Sequence, residues 1–171
     1  DALSDLNEAG DLLGEYRYAL KGLKVGDMPQ TAYVLGATLM PIKGLRVQAL
    51  YSIYDNNYAD WSPDSRQIDD ADDDGVISES ELATADRVQV WDAPGYSKMD
   101  LHITYDLPKI AGFNAQLFGH VFNALDATYV QDAVDNSQYN GFGDGASHSA
   151  SRAEVFLGTP RFMNFGLKLH F

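Results

Sequence analysis

The stretch "FMNFGLKLHF", residues 162–171, decides the fold class. One set of alternate positions is apolar throughout: Met163, Phe165, Leu167, Leu169 and Phe171. The other set includes Asn164, Gly166, Lys168 and His170. Strict alternation over roughly ten residues is the length that a tilted β-strand needs to cross a bilayer. The stretch therefore predicts a membrane-spanning strand with one apolar face and one polar face.

Two segments nearer the N-terminus alternate in the same way. Residues 98–107 place Met99, Leu101, Ile103, Tyr105 and Leu107 on one face. Residues 45–54 place Leu45, Val47, Ala49, Tyr51 and Ile53 on one face, with Leu50 as an exception on the other. Residues 31–41 and 114–123 are also strand-like, although both of their faces carry apolar residues. The chain is thus predicted to be all-β, with five long antiparallel strands.

The connections between these strands alternate between short and long. Two short turns, "PIKG" and "PKIAG", join strands into hairpins. Long polar segments cover residues 1–30, 56–97 and 124–155. Short turns at one rim and long loops at the other are typical of an outer-membrane β-barrel, whose long loops are extracellular. A soluble β-sandwich is the alternative, because its strands alternate as well.

Five strands are too few to close a barrel. An open sheet edge in lipid leaves backbone N–H and C=O groups unpaired, at a cost of several kcal/mol each. Residues 1–171 are therefore expected to form the end of a larger transmembrane barrel, completed by strands outside this sequence.

Composition excludes several classes of function. The net charge of −13 argues against nucleic-acid binding, which needs a basic face. There is no cysteine, and hence no disulfide or thiol chemistry. The sequence contains no run of about 18 apolar residues, so it predicts no transmembrane helix. We find no nucleophile–base pair and no phosphate-binding glycine loop, so the chain is not expected to be an enzyme.

The stretch "DADDDGVISESE", residues 70–81, matches the spacing of an EF-hand calcium loop. Aspartates occupy positions 1, 3 and 5, glycine occupies position 6, and glutamate occupies position 12. The predicted Ca²⁺ ligands are Asp70, Asp72, Asp74, the Val76 carbonyl, Ser78 and Glu81. Ile77 is expected to anchor the loop by packing. The alternative is a solvated acidic loop without an ion.

A complete paired EF-hand is not expected here. Ser78 and Glu81 can form a capping box at the start of an exit helix. The segment before the loop contains Pro63 and lacks an apolar helical stripe. The motif lies in the predicted extracellular loop 56–97, where sites of this type bind calcium at roughly 10⁻⁴ to 10⁻³ M. We therefore expect the calcium site to have a structural role, which is to hold this large loop in place.

The order of several motifs over residues 22–171 resembles the C-terminal part of TonB-dependent receptors. The motifs are "KGLKVGDMPQTA", "IKGLRVQALYSIYDNNYADW", "DAPGYSKMDLHITYDL", "HVFNALDATYVQDA" and "LGTPRFMNFGLKLHF". In the fourth, Val121, Asn123, Leu125, Asp126 and Tyr129 match the family's "NxxNLFDxxY" element. The "FNALD" of this chain departs mildly from the family's "NNLFD".

The resemblance implies the last five strands of a barrel of about 22 strands in the bacterial cell outer membrane. Its expected partners are membrane lipid, the rest of the barrel, a plug domain, and TonB, which binds through the N-terminal part. The plug and the TonB-binding segment are absent from residues 1–171. The family imports nutrients or metal complexes, and the sequence leaves open whether a surface lipoprotein caps the mouth.

The sequence leaves two other functional interpretations open. A calcium-dependent extracellular binding module on a soluble β-domain would retain the acidic loop without the membrane. The second interpretation is a barrel enzyme, and the sequence contains no set of catalytic residues that supports it. His102, His120 and His170 fall on predicted lumen-facing positions and are interpreted as polar lumen residues rather than metal ligands.

Overall fold

The computed structural model describes residues 2–6, 12–108, 114–139 and 145–170. Within these residues the strands are β1 (Ala2–Leu6), β2 (Leu12–Arg17), β3 (Thr31–Leu39), β4 (Leu45–Asp55), β5 (Asn57–Tyr58), β6 (Asp92–Ala93), β7 (Tyr96–Asp106), β8 (Asn114–Phe122), β9 (Val130–Asp135), β10 (Ala153–Leu157) and β11 (Phe162–His170). The helical elements are α1 (Glu79–Leu82) and two 3-10 turns at Pro63–Arg66 and Ala150–Arg152. The chain is mostly antiparallel β-structure, as the alternation predicts.

The five long strands form one antiparallel sheet in the order β11-β8-β7-β4-β3. All five strands predicted from alternation are confirmed, with bounds that differ by one or two residues. The sheet is open within the described residues, because β3 and β11 each have one unpaired edge.

One face of this sheet is apolar from strand to strand, because the register aligns the alternate apolar positions of all five strands. It carries Tyr33, Leu35, Ala37 and Leu39 of β3; Leu45, Val47, Ala49, Tyr51 and Ile53 of β4; Met99, Leu101, Ile103 and Tyr105 of β7; Leu117, Gly119 and Val121 of β8; and Met163, Phe165, Leu167 and Leu169 of β11. Its large side chains are most exposed on the edge strands β3 and β11. Leu35 is 65% exposed and Phe165 is 74% exposed.

The opposite face of the sheet carries most of the charged and amide side chains. Its polar members include Arg46, Gln48 and Ser52 of β4, Lys98, Asp100, His102, Thr104 and Asp106 of β7, Gln116 and His120 of β8, and Asn164 and Lys168 of β11. Val34, Leu50, Phe118, Phe122 and Phe162 are apolar exceptions on this face. The contrast in polarity between the two faces is therefore clearest on β4 and β7, whereas β3 carries apolar residues on both faces.

Two glycines on neighbouring strands make room for aromatic rings. Gly119 lies opposite Phe165, and a Cβ there would come within 2.7 Å of the Phe165 ring. On the other face, Gly166 lies opposite Phe118, and a Cβ there would come within 2.2 Å of that ring. Each pair covers a strand glycine with an aromatic side chain, which helps to hold the β8–β11 register.

The chain divides into two compact units. One unit, which we call the sheet unit, comprises Met28–Asn57, Ala93–Asp132 and Val155–Phe171. The other, which we call the loop unit, comprises Asp1–Asp27, Tyr58–Asp92 and Ala133–Glu154. The loop unit is thus assembled from parts of the three segments predicted as long loops.

The loop unit has a small core of Ala19, Ile68 and Ile77, against which Leu82 and Ala85 pack. Backbone hydrogen bonds connect its segments: Ala19 donates to the Arg66 carbonyl, and Ile68 donates to the Arg17 carbonyl, both at 2.8 Å.

Residues 1–30, predicted as a loop, differ from that prediction because β1 and β2 pair there as an antiparallel hairpin. β2 ends within the stretch "GEYRYAL", residues 14–20. The two strands are short, with five and six residues, so their sequence shows no sustained alternation. No helix among the described residues is both long enough and apolar enough to cross a membrane.

Candidate metal site and polar network of the loop unit

The acidic loop brings three of its predicted ligands together. Single carboxylate oxygens of Asp70, Asp72 and Asp74 lie within 4.8 Å of one another. Asp70 is partly buried, whereas Asp72 and Asp74 are exposed. Three carboxylates at this separation can all contact one hard cation, which takes oxygen ligands.

Local hydrogen bonds curl the loop around these carboxylates. Asp70 Oδ1 and Oδ2 accept from the backbone N–H groups of Asp74 and Gly75 at 3.3 and 2.7 Å. Asp74 Oδ1 accepts from the Val76 N–H at 2.8 Å. Gly75 has a φ of +82°, a left-handed conformation that glycine adopts at little cost. The glycine at position 6 therefore makes the bend that its place in the motif predicts.

The start of α1 forms the predicted capping box. The Ser78 hydroxyl accepts from the Glu81 N–H, and Glu81 Oε2 accepts from the Ser78 N–H at 2.8 Å. Glu81 Oε1 also accepts from the Ala71 N–H at 2.6 Å, which joins the end of the motif to its beginning. Ile77 packs in the loop-unit core with Ala19 and Ile68, as predicted.

Glu81 is the predicted ligand that stands apart from the aspartates. Both of its oxygens are engaged in the capping box and with Ala71, and it is not part of the group of close carboxylates. Ser78 is engaged as the N-cap, while Val76 follows the bend with an exposed side chain. A cation held by the aspartates would have to exchange with these hydrogen bonds before Glu81 could bind it.

The pKa shifts also distinguish the aspartates of the loop from Glu81. The neighbouring charge of Asp74 raises the pKa of Asp72 above its ordinary value. Hydrogen bonds from the Ser78 backbone and hydroxyl lower the pKa of Glu81. Repulsion thus outweighs hydrogen bonding at Asp72, whereas hydrogen bonds stabilise the charge of Glu81. A cation bound beside Asp72 would relieve the repulsion.

A second polar cluster in the loop unit was not predicted from the sequence. His148 lies between two carboxylates: Nδ1 is 2.5 Å from Asp135 Oδ2, and Nε2 is 2.7 Å from Asp86 Oδ2. The Arg66 side chain is fully buried, with Nη1 3.1 Å from Asp86 Oδ1 and Nη2 3.1 Å from His148 Nδ1. These four residues form the buried network. The side chains of Arg66, His148 and Asp135 are buried in it, whereas that of Asp86 is 42% exposed. The Asp86 carboxylate pairs with the buried guanidinium, which offsets the desolvation of that group.

The network holds its two carboxylates in their charged forms. Burial raises the pKa of Asp135, but hydrogen bonds from Ser137 and His148 outweigh it and bring the pKa below the ordinary value. Burial likewise raises the pKa of Asp86, and bonds from His148 and the Val88 N–H bring it down. The contacting pairs are 13 to 82 residues apart, from Asp135–His148 to Arg66–His148, so no motif of fixed local spacing could have revealed the network.

No model of a known protein family matches the sequence, and no curated protein or solved structure matches it either.

Two histidines of the sheet unit also lie next to each other. His102 and His120, predicted on the polar face, lie directly opposite one another on β7 and β8. Alternation predicts which face each occupies, but only the register brings the two rings together.

Proposed function

We propose that this chain is part of the barrel wall and outer loops of a TonB-dependent outer-membrane transporter that imports a nutrient or metal complex. The observation that carries the proposal is the apolar face of the five-stranded sheet, which is most exposed on the edge strands β3 and β11 and partly exposed on the inner strands. In water such a face would need a second protein layer, because sheets bury their apolar side. Lipid would cover it directly.

Strand length supports the same proposal. The five long strands contain nine to eleven residues, which is about what a tilted strand needs to span the hydrocarbon core. Tyr105 lies on the apolar face near the short-turn end, and Tyr33 and Tyr51 lie on it near the long-loop end. Outer-membrane barrels carry aromatic residues at both interfaces in this way.

The polar face would then line the lumen, where water and a plug domain meet it. TonB would act on that plug through a part of the receptor outside these residues. The long segments between the strands, which build the loop unit, would face the outside of the cell.

The contrast between faces can be measured directly, since the chain contains no native cysteine. We would attach an environment-sensitive fluorophore to single-cysteine variants Phe165→Cys and Asn164→Cys, which are neighbours on opposite faces of β11. In lipid vesicles, nitroxide groups on the lipid tails should quench the label at 165, and aqueous iodide should quench the label at 164. Equal quenching at both positions would contradict the proposal.

The solubility of the purified chain also distinguishes the proposed transporter function from the alternative of a soluble binding module. If the purified chain stays soluble and monomeric without detergent, it is a soluble β-domain, and the acidic loop would serve a calcium-dependent binding module. If it needs detergent or lipid, that alternative fails.

We further propose that the acidic loop binds one Ca²⁺ through Asp70, Asp72 and Asp74, with the Val76 carbonyl, Ser78 and Glu81 completing the site. The close carboxylates and the preformed bend fit a hard cation. Calcium would supply positive charge that holds this loop rigid.

Chelation tests the calcium site. Removing calcium should increase proteolysis within residues 70–81 and leave the strands folded. The double variant Asp72→Asn/Asp74→Asn should be cleaved quickly with or without calcium. Asp64→Asn, an exposed aspartate of the same unit, should behave as the parent chain. Cleavage that does not change with calcium would exclude the site.

A further inference from the structure

The two histidines of the polar sheet face form a close pair. His102 and His120 occupy directly opposite positions on β7 and β8, and their Nδ1 atoms are 2.7 Å apart. The ring centroids are 4.9 Å apart, and the ring planes are inclined by 64°. Both rings are partly exposed and line an open cavity on the polar face, together with Gln48 and Thr104.

The surroundings of the pair combine polar side chains with the rings of Phe118 and Phe122. Gln48 lies opposite His102 on β4, and Asn164 lies opposite His120 on β11. The two histidines therefore sit in the middle of a row of side chains with hydrogen-bonding groups. Phe122 packs edge-on against His102 at 5.7 Å between centroids, which limits the orientations of that ring.

The separation of the two nitrogens suits a shared metal ion. Imidazole nitrogens bind Zn²⁺ at about 2.0–2.1 Å, so two of them on one tetrahedral ion lie roughly 3.3 Å apart. A ring movement of about half an ångström from the observed 2.7 Å reaches that spacing. Without an ion, one Nδ1–H must donate a hydrogen bond to the other Nδ1. An ion would replace that proton.

We propose that His102 and His120, which the sequence alone suggests are polar residues rather than metal ligands, bind one divalent first-row transition-metal ion, of the class of Zn²⁺, Ni²⁺ and Cu²⁺, across β7 and β8. Imidazole favours these ions, whereas calcium prefers oxygen ligands. Two protein ligands leave positions open for water or for a ligand from the cavity. The site depends only on the β7–β8 register. It can therefore be tested independently of the transporter proposal and of the calcium site in the acidic loop.

The test uses the full chain in detergent, with millimolar calcium present to occupy the acidic loop. We would titrate Zn²⁺ by calorimetry and record the electron paramagnetic resonance spectrum of bound Cu²⁺. The parent chain should bind one Zn²⁺, and its Cu²⁺ spectrum should show coupling to two imidazole nitrogens.

Variants assign the ligands. His102→Gln and His120→Gln should each lower the Zn²⁺ affinity by roughly tenfold or more, the size of effect seen when a metal site loses a supporting group. His170→Gln, which removes an imidazole from β11, should leave the affinity unchanged. Circular dichroism establishes that each variant keeps its strands.

Two results would overturn the proposal. One is a Zn²⁺ affinity that His102→Gln and His120→Gln leave unchanged. The other is a Cu²⁺ spectrum that shows coupling to one nitrogen or to none, in which case the histidines form only a hydrogen-bonded pair. Neither result bears on which sheet face meets lipid, so failure here is distinguishable from failure of the proposed function.

Discussion

At the scale of single residues, hydrogen-bonded carboxylates organise the loop unit. Glu81 ties the two ends of the acidic motif together, while Asp86 and Asp135 hold His148 between them. In each case the charged carboxylate accepts several hydrogen bonds. The stability that these groups supply therefore depends on their remaining ionised.

The buried network should weaken in acid. The pKa values of Asp86 and Asp135 are lowered from the ordinary 3.8. A lowered folded-state pKa means that the stabilisation is complete above 3.8 and is lost as the pH falls through the lowered values. Trp61 reports on this change, because the Arg66 guanidinium lies 5.7 Å from its ring.

We would follow Trp61 fluorescence from about pH 5 to about pH 2 in a Trp91→Phe background. The emission should shift below the ordinary carboxyl pKa. In Asp135→Asn the signal should already be altered at neutral pH, whereas Asp64→Asn should follow the parent curve. A parent curve that is flat over this range would contradict the assigned role of the network.

The N-cap of α1 gives a second prediction at this scale. Ser78→Ala removes the hydroxyl that accepts from the Glu81 N–H, at a cost of about 0.5–2 kcal/mol. Because Glu81 also bonds to Ala71, the acidic loop should loosen with the helix. Hydrogen exchange of residues 71–84 should speed up accordingly.

Glu79→Gln is the control for the cap, because Glu79 is exposed in the same helical turn. It should change exchange in this segment by much less than Ser78→Ala does. Equal effects of the two substitutions would show that the hydroxyl is not what holds the loop.

At the scale of elements, the short turn between β3 and β4 sets the hairpin. Gly44 has a φ of +86°, and its carbonyl accepts from the Asp106 N–H at 2.9 Å. A Cβ at this position would come within 2.7 Å of the Asp106 carbonyl oxygen. Both the backbone conformation and the close approach therefore require glycine.

Gly44→Ala should destabilise the sheet by more than the roughly 1–2 kcal/mol of a left-handed residue, because the contact with Asp106 adds to it. Lys43→Ala, the neighbouring exposed turn residue, should have little effect. Unfolding of both variants in detergent, followed by circular dichroism, measures the difference. If Gly44→Ala is as stable as Lys43→Ala, the turn is not constrained as described.

At the scale of the whole molecule, the two sheet faces make opposite demands on their surroundings. Val34 and Leu35 are neighbours on β3 and are similarly exposed, at 58% and 65%. Leu35 lies on the apolar face and Val34 lies on the polar face. In water, arginine at either position would meet the same solvent.

In a bilayer, Leu35→Arg should cost about 2–4 kcal/mol, because the charge would enter the hydrocarbon region. Val34→Arg should cost far less, because its side chain would face the lumen. Unfolding of each variant in lipid vesicles gives the comparison. Similar costs at both positions would mean that Leu35 does not face lipid.

Local pattern accounts for much of the fold and part of the candidate site. The side-chain period of a strand is two residues, so alternation from Phe162 to His170 predicts both the strand and its faces. The fixed spacing of residues 70–81 likewise predicts the bend at Gly75 and the capping box at Ser78. These features depend on neighbours a few residues away, which is why the sequence alone determined them.

Tertiary structure decided which distant residues meet. His102 faces His120 only because β7 pairs with β8 in one register, and a shift by one residue would separate the rings. Arg66, Asp86 and His148 meet only because separate segments fold together in the loop unit. Sequence spacing carries no information about such contacts, since they depend on long-range packing rather than on local periodicity.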